Sequence, residues 1–195
     1  MRDGLVDPSA NPATEATLPT RLTGTGDILT NEQLLEIRRV ASTTGNDPEL
    51  DELIVVLHIP TIAERQTVSD LTLDDLDHDN CLVRLRNRGG RLYWHPLSPR
   101  LMAALRQHVA RRGGENTTHR LLRKRNGRPI TYRRYDALWG RIRETLPWPA
   151  ELDVTTYSIT ETVRAHVKQL FGEKVERVYA GHHRDDVSCP HPHPR

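Results

Sequence analysis

The run Cys81-Leu82-Val83-Arg84-Leu85-Arg86-Asn87-Arg88-Gly89-Gly90-Arg91-Leu92-Tyr93-Trp94-His95 decides the fold. Apolar and basic side chains alternate over 81–86, the period of a strand with one buried face. Asn87-Arg88-Gly89-Gly90 supplies turn residues and 91–95 the return, so a basic antiparallel hairpin is predicted. Outside it the period changes to that of helices. Upstream, Thr30-Asn31-Glu32-Gln33 has the capping-box pattern, and Leu34, Leu35, Ile37, Val40 and Ala41 follow at helical spacing, giving a helix over about 31–43. Asp47-Pro48 opens a second helix with Asp47 as N-cap, and its Leu50, Leu53, Ile54, Val56 and Leu57 can be buried. A turn, a short helix and a return through Leu71, Leu73 and Leu76 lead to the hairpin.

Downstream, Ser98-Pro99 starts a helix that ends near Gly113-Gly114. After a basic loop, Thr131 to Leu146 read as a helix carrying Tyr135, Leu138, Trp139 and Ile142, stopped by Pro147. Two more helices, near 156–170 and 173–180, meet at Phe171-Gly172. The expected fold class is mainly α with a small antiparallel β-sheet, an α+β arrangement.

With 195 residues, 36% of them hydrophobic, the chain can bury one modest core. Residues 1–28, rich in Pro, Thr, Ala and Gly without periodicity, read as a disordered leader or linker remnant. The domain is expected over 29–183, with a loose tail over 184–195. No apolar run reaches membrane-spanning length, and the first residues lack a signal-peptide pattern. Cys81 and Cys189 are far apart and suggest neither a disulfide framework nor a paired metal motif. A cytoplasmic protein is the expectation.

Charge is segregated along the chain. Residues 81–145 hold 17 Lys/Arg against 3 Asp/Glu, whereas 27–80 hold 3 against 13. Such a basic stretch attracts a polyanion, and its preference for Arg over Lys supplies planar donors that match phosphate oxygens. The competing reading is a solvated face neutralised by the acidic segment. Arg84, Arg86, Arg88, Arg91, Arg123, Lys124, Arg125, Arg133 and Arg134 are the candidate DNA-binding residues.

The order of elements, with Leu71-Thr72-Leu73-Asp74-Asp75-Leu76-Asp77, Arg88-Gly89-Gly90, Arg133-Arg134-Tyr135-Asp136-Ala137-Leu138-Trp139 and Phe171-Gly172 leading into Tyr179-Ala180-Gly181-His182, resembles the catalytic domain of tyrosine recombinases, the phage-integrase family, in its actinobacterial branch. The resemblance covers roughly 29–183. It implies a DNA partner, with DNA recombination and integration as the setting; no cofactor and no metal are expected. It also implies attack of a tyrosine on the scissile phosphate, with paired arginines stabilising the charge that builds up and Lys, His or Trp groups handling protons.

Placed on this sequence by the flanking motifs, the first arginine slot falls on Glu64, with Arg65 one position later; on a helix that offset turns a side chain by about 100°. The hairpin lysine slot falls on Arg88, which keeps the charge but is a poor proton donor. The His-x-x-Arg box falls on Tyr157-Ser158-Ile159-Thr160-Glu161, where both basic positions are gone and Tyr157, Thr160 and Glu161 occupy the degenerate slots. Arg164 lies about one turn beyond Thr160, too displaced to restore the box. His182 matches the second family histidine. After Tyr179 there is no tyrosine, and Tyr179 itself falls where the family uses it for packing. Ser188 and Cys189 lack a positioned base, and a soft-metal site from Cys189, His191 and His193 lacks supporting structure.

The catalytic candidates are therefore His182, Arg88 and Arg65, and the leading expectation is an integrase-family protein that binds double-stranded DNA without cleaving it. A homo-oligomer on DNA is a further expectation. Two alternatives stay open: activity with a tyrosine supplied in trans, and a non-functional relic or non-catalytic DNA-binding regulator. The separate N-terminal DNA-clamping domain of full-length integrases is expected to be absent.

Overall fold

The computed structural model describes residues 28–87, 89–112, 119–149, 152 and 154–182. The expectations for 1–27, Arg88, Gly113-Gly114 and the tail from His183 onward, including the Cys189/His191/His193 grouping, lie outside these described residues.

Three helices come first, α1 (Asn31–Thr43), α2 (Pro48–Thr61) and α3 (Arg65–Asp70). A 3-10 turn (Leu73–Asp75) leads into the strands β1 (Leu76–Asp77), β2 (Leu82–Arg86) and β3 (Leu92–Pro96). Four helices follow: α4 (Pro99–Arg112), α5 (Tyr132–Thr145), α6 (Thr156–Phe171) and α7 (Glu173–Tyr179). The mainly helical α+β class read from the sequence is the observed one. Thr30 caps α1 through its predicted box, its side chain accepting from Gln33 N while Thr30 N donates to Gln33 Oε1 at 2.8 Å.

The hairpin forms with Val83 opposite His95, Arg84 opposite Trp94 and Leu85 opposite Tyr93. Val83 and Leu85 are buried and the arginines face outward, as the alternation requires. A third strand was not foreseen. Two residues of β1 pair with Leu82 and Val83, making the order β1-β2-β3; a two-residue strand is too short to show any period.

Helix α2 is the centre of the molecule, packed by α1, α4 and α6. Leu50, Leu53, Ile54, Val55 and Leu57 are all buried, so apolar residues occupy most of its circumference, the mark of a helix covered on several sides. Two charged positions on α2 and its cap are buried as well. Asp51 is held by Arg134 Nε at 2.6 Å and by Arg141, and Asp47 takes two bonds from Arg112, at 2.5 and 2.8 Å. Isolated carboxylates at these depths would be strongly unfavourable, so the arginines neutralise them in place.

Two sequence expectations are corrected here. Asp47 sits at the N-cap position of α2 but makes no side-chain cap bond; Arg112 holds its carboxylate. Arg134, placed on the DNA face from its run of basic neighbours, has a side chain only 9% exposed and bonds Asp51, Asn46 Oδ1 and Asp47 O. Helical phase turns it inward while Arg133 stays exposed.

Candidate nucleic-acid interface

A cleft of about 430 Å³ lies where four segments meet. Its walls are the turn Ile62-Ala63-Glu64-Arg65, the hairpin residues Arg86, Asn87 and Tyr93, the first turns of α6, and Ala180 with His182 after α7.

The first wall depends on a strained residue. Helix α2 stops because Ile62 adopts φ +50°, a left-handed conformation that costs a β-branched residue on the order of 1–3 kcal/mol. Beneath it, His58 Nδ1 lies 2.9 Å from Ala63 O and Nε2 lies 3.1 Å from the Tyr135 hydroxyl. A carbonyl only accepts, so Nδ1 carries the proton and Nε2 accepts from Tyr135. Burial, with the nearby Arg65 charge adding to it, pulls the His58 pKa down to about 4, and a neutral imidazole braces the turn.

From that turn Glu64 occupies the N-cap position of α3, without a side-chain cap bond, and Arg65 begins the helix. The Arg65 guanidinium sits 5.2 Å from the Tyr132 ring centre and 5.8 Å from that of Tyr135, with Asp136 Oδ1 at 3.8 Å. It lines the cleft while leaning on α5.

The far wall is laced to the hairpin. Asn87 Nδ2 donates to Gly181 O at 2.9 Å. Gly181 has φ +75°, and a Cβ there would stand 2.4 Å from Tyr93 Cε1, so conformation and space both demand glycine. Tyr179 donates to Pro60 O at 2.5 Å and meets the His95 ring edge-on at 4.6 Å. These contacts give it the packing role anticipated from its spacing, and burial raises its pKa to about 12. His182, exposed, is carried to the cleft rim by its backbone bond to Arg177 O.

Helix α6 starts at a box in which Thr155 Oγ1 accepts from Tyr157 N. Trp139 Nε1 fixes Thr156 at 2.8 Å, leaving Tyr157 61% exposed beside the cleft. Thr160 Oγ1 turns back onto Tyr157 O. Arg164 is engaged by two carboxylates, Glu176 Oε1 at 2.8 Å from Nε and Glu161 Oε1 at 3.3 Å from Nη1. Burial opposes its charge, but the two carboxylates outweigh burial and raise its pKa.

The structure thus brings Glu64, Arg65, Tyr157, Thr160, Glu161 and His182 to one place, although they come from distant parts of the chain. Arg164 and Tyr157 share the cleft with Arg65, a convergence that the one-turn displacement of Arg164 had not suggested. Sequence reasoning also missed His58, Asn87, Tyr93 and Glu176. Only Asn87 carried a signal, as a turn residue at the hairpin end; the others are ordinary helix or strand residues.

Of the remaining basic candidates, Arg84 bonds Asp75, with Nη2 to Oδ1 at 2.9 Å, and lies over Trp94. Arg86 is exposed with Nη1 donating to Gly90 O, and Arg91 is exposed beside it. Arg123 and Lys124 are half-buried, Arg125 is exposed, and a tight turn closes through Lys124 N to Arg128 O and Gly127 N to Lys124 O. Arg112 underpins that turn by donating to Arg123 O at 3.1 Å. Among the described residues no group of three or more His, Cys, Asp or Glu is placed to hold a metal ion, and no helix is long and apolar enough to cross a membrane.

The architecture is that of the tyrosine-recombinase catalytic domain. The Tn1549 transposon integrase in complex with transposon right end DNA is similar at TM-score 0.63 and 19% identity, over 82% of this chain and 59% of that one. The lambda integrase catalytic core is similar at TM-score 0.59 and 16% identity, over 81% of this chain and 92% of that one. A lambda integrase tetramer bound to a Holliday junction is similar at TM-score 0.61 and 15% identity, over 81% of this chain and 47% of that one. The chain therefore spans about half to three fifths of the longer recombinases and nearly the whole of the isolated core. No family model and no curated protein sequence matches it.

Proposed function

We propose that this chain is a recombinase-like protein that holds duplex DNA through phosphate contacts and does not cleave it. The carrying observation is the composition of the cleft, where Glu64 and Glu161 stand at positions that the resemblance assigns to phosphate-binding or proton-handling groups, while Arg164 is engaged by Glu161 and Glu176. A carboxylate about 5 Å from a phosphate oxygen repels it by roughly 3 kcal/mol at an effective dielectric of 20. Two such groups oppose the charge that a pentacoordinate phosphorus would build up. Binding does not meet this obstacle at Arg125 and Arg133, which are exposed and do not line that cleft. That the Tn1549 and lambda proteins are seen with DNA supports duplex DNA as the partner. The lambda tetramer supports, in the same way, a homo-oligomer assembled on DNA.

Titration of labelled duplex over a salt series tests the reading. Binding that weakens steeply with salt is expected, each neutralised phosphate adding about 0.9 to the slope of log K against log salt. Absence of binding at about 50 mM salt refutes it. One observation favours a second reading, residual cleavage: exposed Tyr157 shares the cleft with Arg65, Arg164 and His182. A suicide substrate that traps covalent protein–DNA adducts decides between the two. An adduct lost in Tyr157→Phe would establish cleavage; no adduct upholds binding alone.

A further inference from the structure

We propose that Glu176 and Glu161 act as a built-in substitute for phosphate, occupying the one cleft arginine on α6, and that neutralising them opens an anion site there for a phosphate or phosphodiester group. The inference deepens the DNA-binding reading and rests on it for its biological meaning, though not for its test.

The geometry assigns the two carboxylates different parts. Glu176 is on α7, its side chain 9% exposed, and its oxygen meets Arg164 Nε at 2.8 Å. Helix α7 cannot swing it aside, because Tyr179 anchors the end of α7 to Pro60 O and Asn87 anchors the residue after Ala180. If Arg164 left, a nearly buried carboxylate would remain without its counter-ion, so the pair stays closed. Glu161, one turn before Arg164 on the same helix, is 36% exposed at its side chain and bonds Nη1 at 3.3 Å. It faces the cleft and places negative charge where an incoming oxyanion would sit.

The remaining parts of an anion site are present in the cleft. Arg164 is 37% exposed there, with Arg65, Arg86 and His182 on the opposing walls. A guanidinium released from two carboxylates has donors to offer a tetrahedral oxyanion, and charge-assisted bonds of this kind are the strong ones. Glutamine in place of either glutamate keeps volume and one acceptor oxygen while removing the charge.

The test compares the wild-type chain, Glu161→Gln, the double variant Glu161→Gln/Glu176→Gln and that double variant with Arg164→Ala, using inorganic phosphate and a labelled duplex. The double variant is expected to show a rise in melting temperature with phosphate, over chloride at equal ionic strength, that the wild type lacks. It is also expected to bind duplex about tenfold more tightly, with a salt slope steeper by about 0.9. Adding Arg164→Ala should abolish both gains. Should the double variant not fold, Glu161→Gln alone is expected to give a smaller gain of the same kind, about threefold. A merely structural role for the carboxylates would change stability without changing the phosphate response or the slope. Identical phosphate response and slope in the wild type and in the variants that fold overturn the inference. A wild type that fails to bind DNA beside a double variant that gains the phosphate response would remove the DNA reading and leave this one standing.

Discussion

Lowering the pH from 7 to 5 is expected to unfold this domain or bring it close to unfolding, because three histidines are held neutral in its interior. His58, His95 and His108 are each at most 2% exposed, and burial lowers the pKa of all three to about 4. At His108 the positive charge of Arg112 adds to burial, partly offset by Glu49 and Asp47. Its Nε2 accepts from Arg123 N at 3.2 Å, so a proton there would set two N–H groups against each other. In the unfolded chain these imidazoles titrate near pH 6.5. A depressed histidine gives stability that is fully present above the unfolded pKa and is lost as pH falls toward the folded one. The window is therefore pH 6.5 down to 4. At pH 5 the linkage amounts to about 2 kcal/mol for each histidine, so all three together remove on the order of 5–6 kcal/mol. That is comparable with the whole stability of an ordinary domain of about 5–15 kcal/mol.

Urea unfolding followed by circular dichroism at pH 7, 6.5, 6, 5.5 and 5 measures the effect. A fall of up to about 4 kcal/mol per pH unit is expected near pH 5.5, corresponding to three protons taken up on unfolding. His108→Gln, which has no titrating group and can still accept from Arg123 N, should reduce that slope by about a third. Stability that stays flat between pH 7 and 5, or a variant with the wild-type slope, would refute the reasoning.

Further outcomes follow from single contacts. Gly181→Ala forces a Cβ to within 2.4 Å of Tyr93 at a left-handed position and should cost about 2–3 kcal/mol in a urea melt. Arg134→Ala leaves Asp51 with Arg141 alone and should cost about 3 kcal/mol in the same melt, while the salt slope of DNA binding is unchanged. Arg125→Ala should do the reverse, shifting stability by less than about 0.5 kcal/mol and reducing the slope by about 0.9 in the salt titration. Trp139→Phe removes the donor that fixes Thr156 at the base of the cleft and should cost about 1–2 kcal/mol by thermal melt.

Local order was legible in the sequence because its causes are local. Thr30 and Gln33 specify the start of α1, Pro48 that of α2, and the alternation over 82–86 fixes which face of β2 is buried, since these depend on side chains a few residues apart. Tertiary structure alone decided how the charges pair. Arg133 and Arg134 are adjacent and alike in sequence, yet one is exposed and the other is turned to Asp51, a residue 83 positions away. Arg164 looked too displaced to matter until the fold set it in the cleft, and it is the fold that gives Glu176 to it from the next helix. Electrostatic partners are chosen by distance through space, and no local pattern in a chain encodes which distant carboxylate will stand within 3 Å of a given guanidinium.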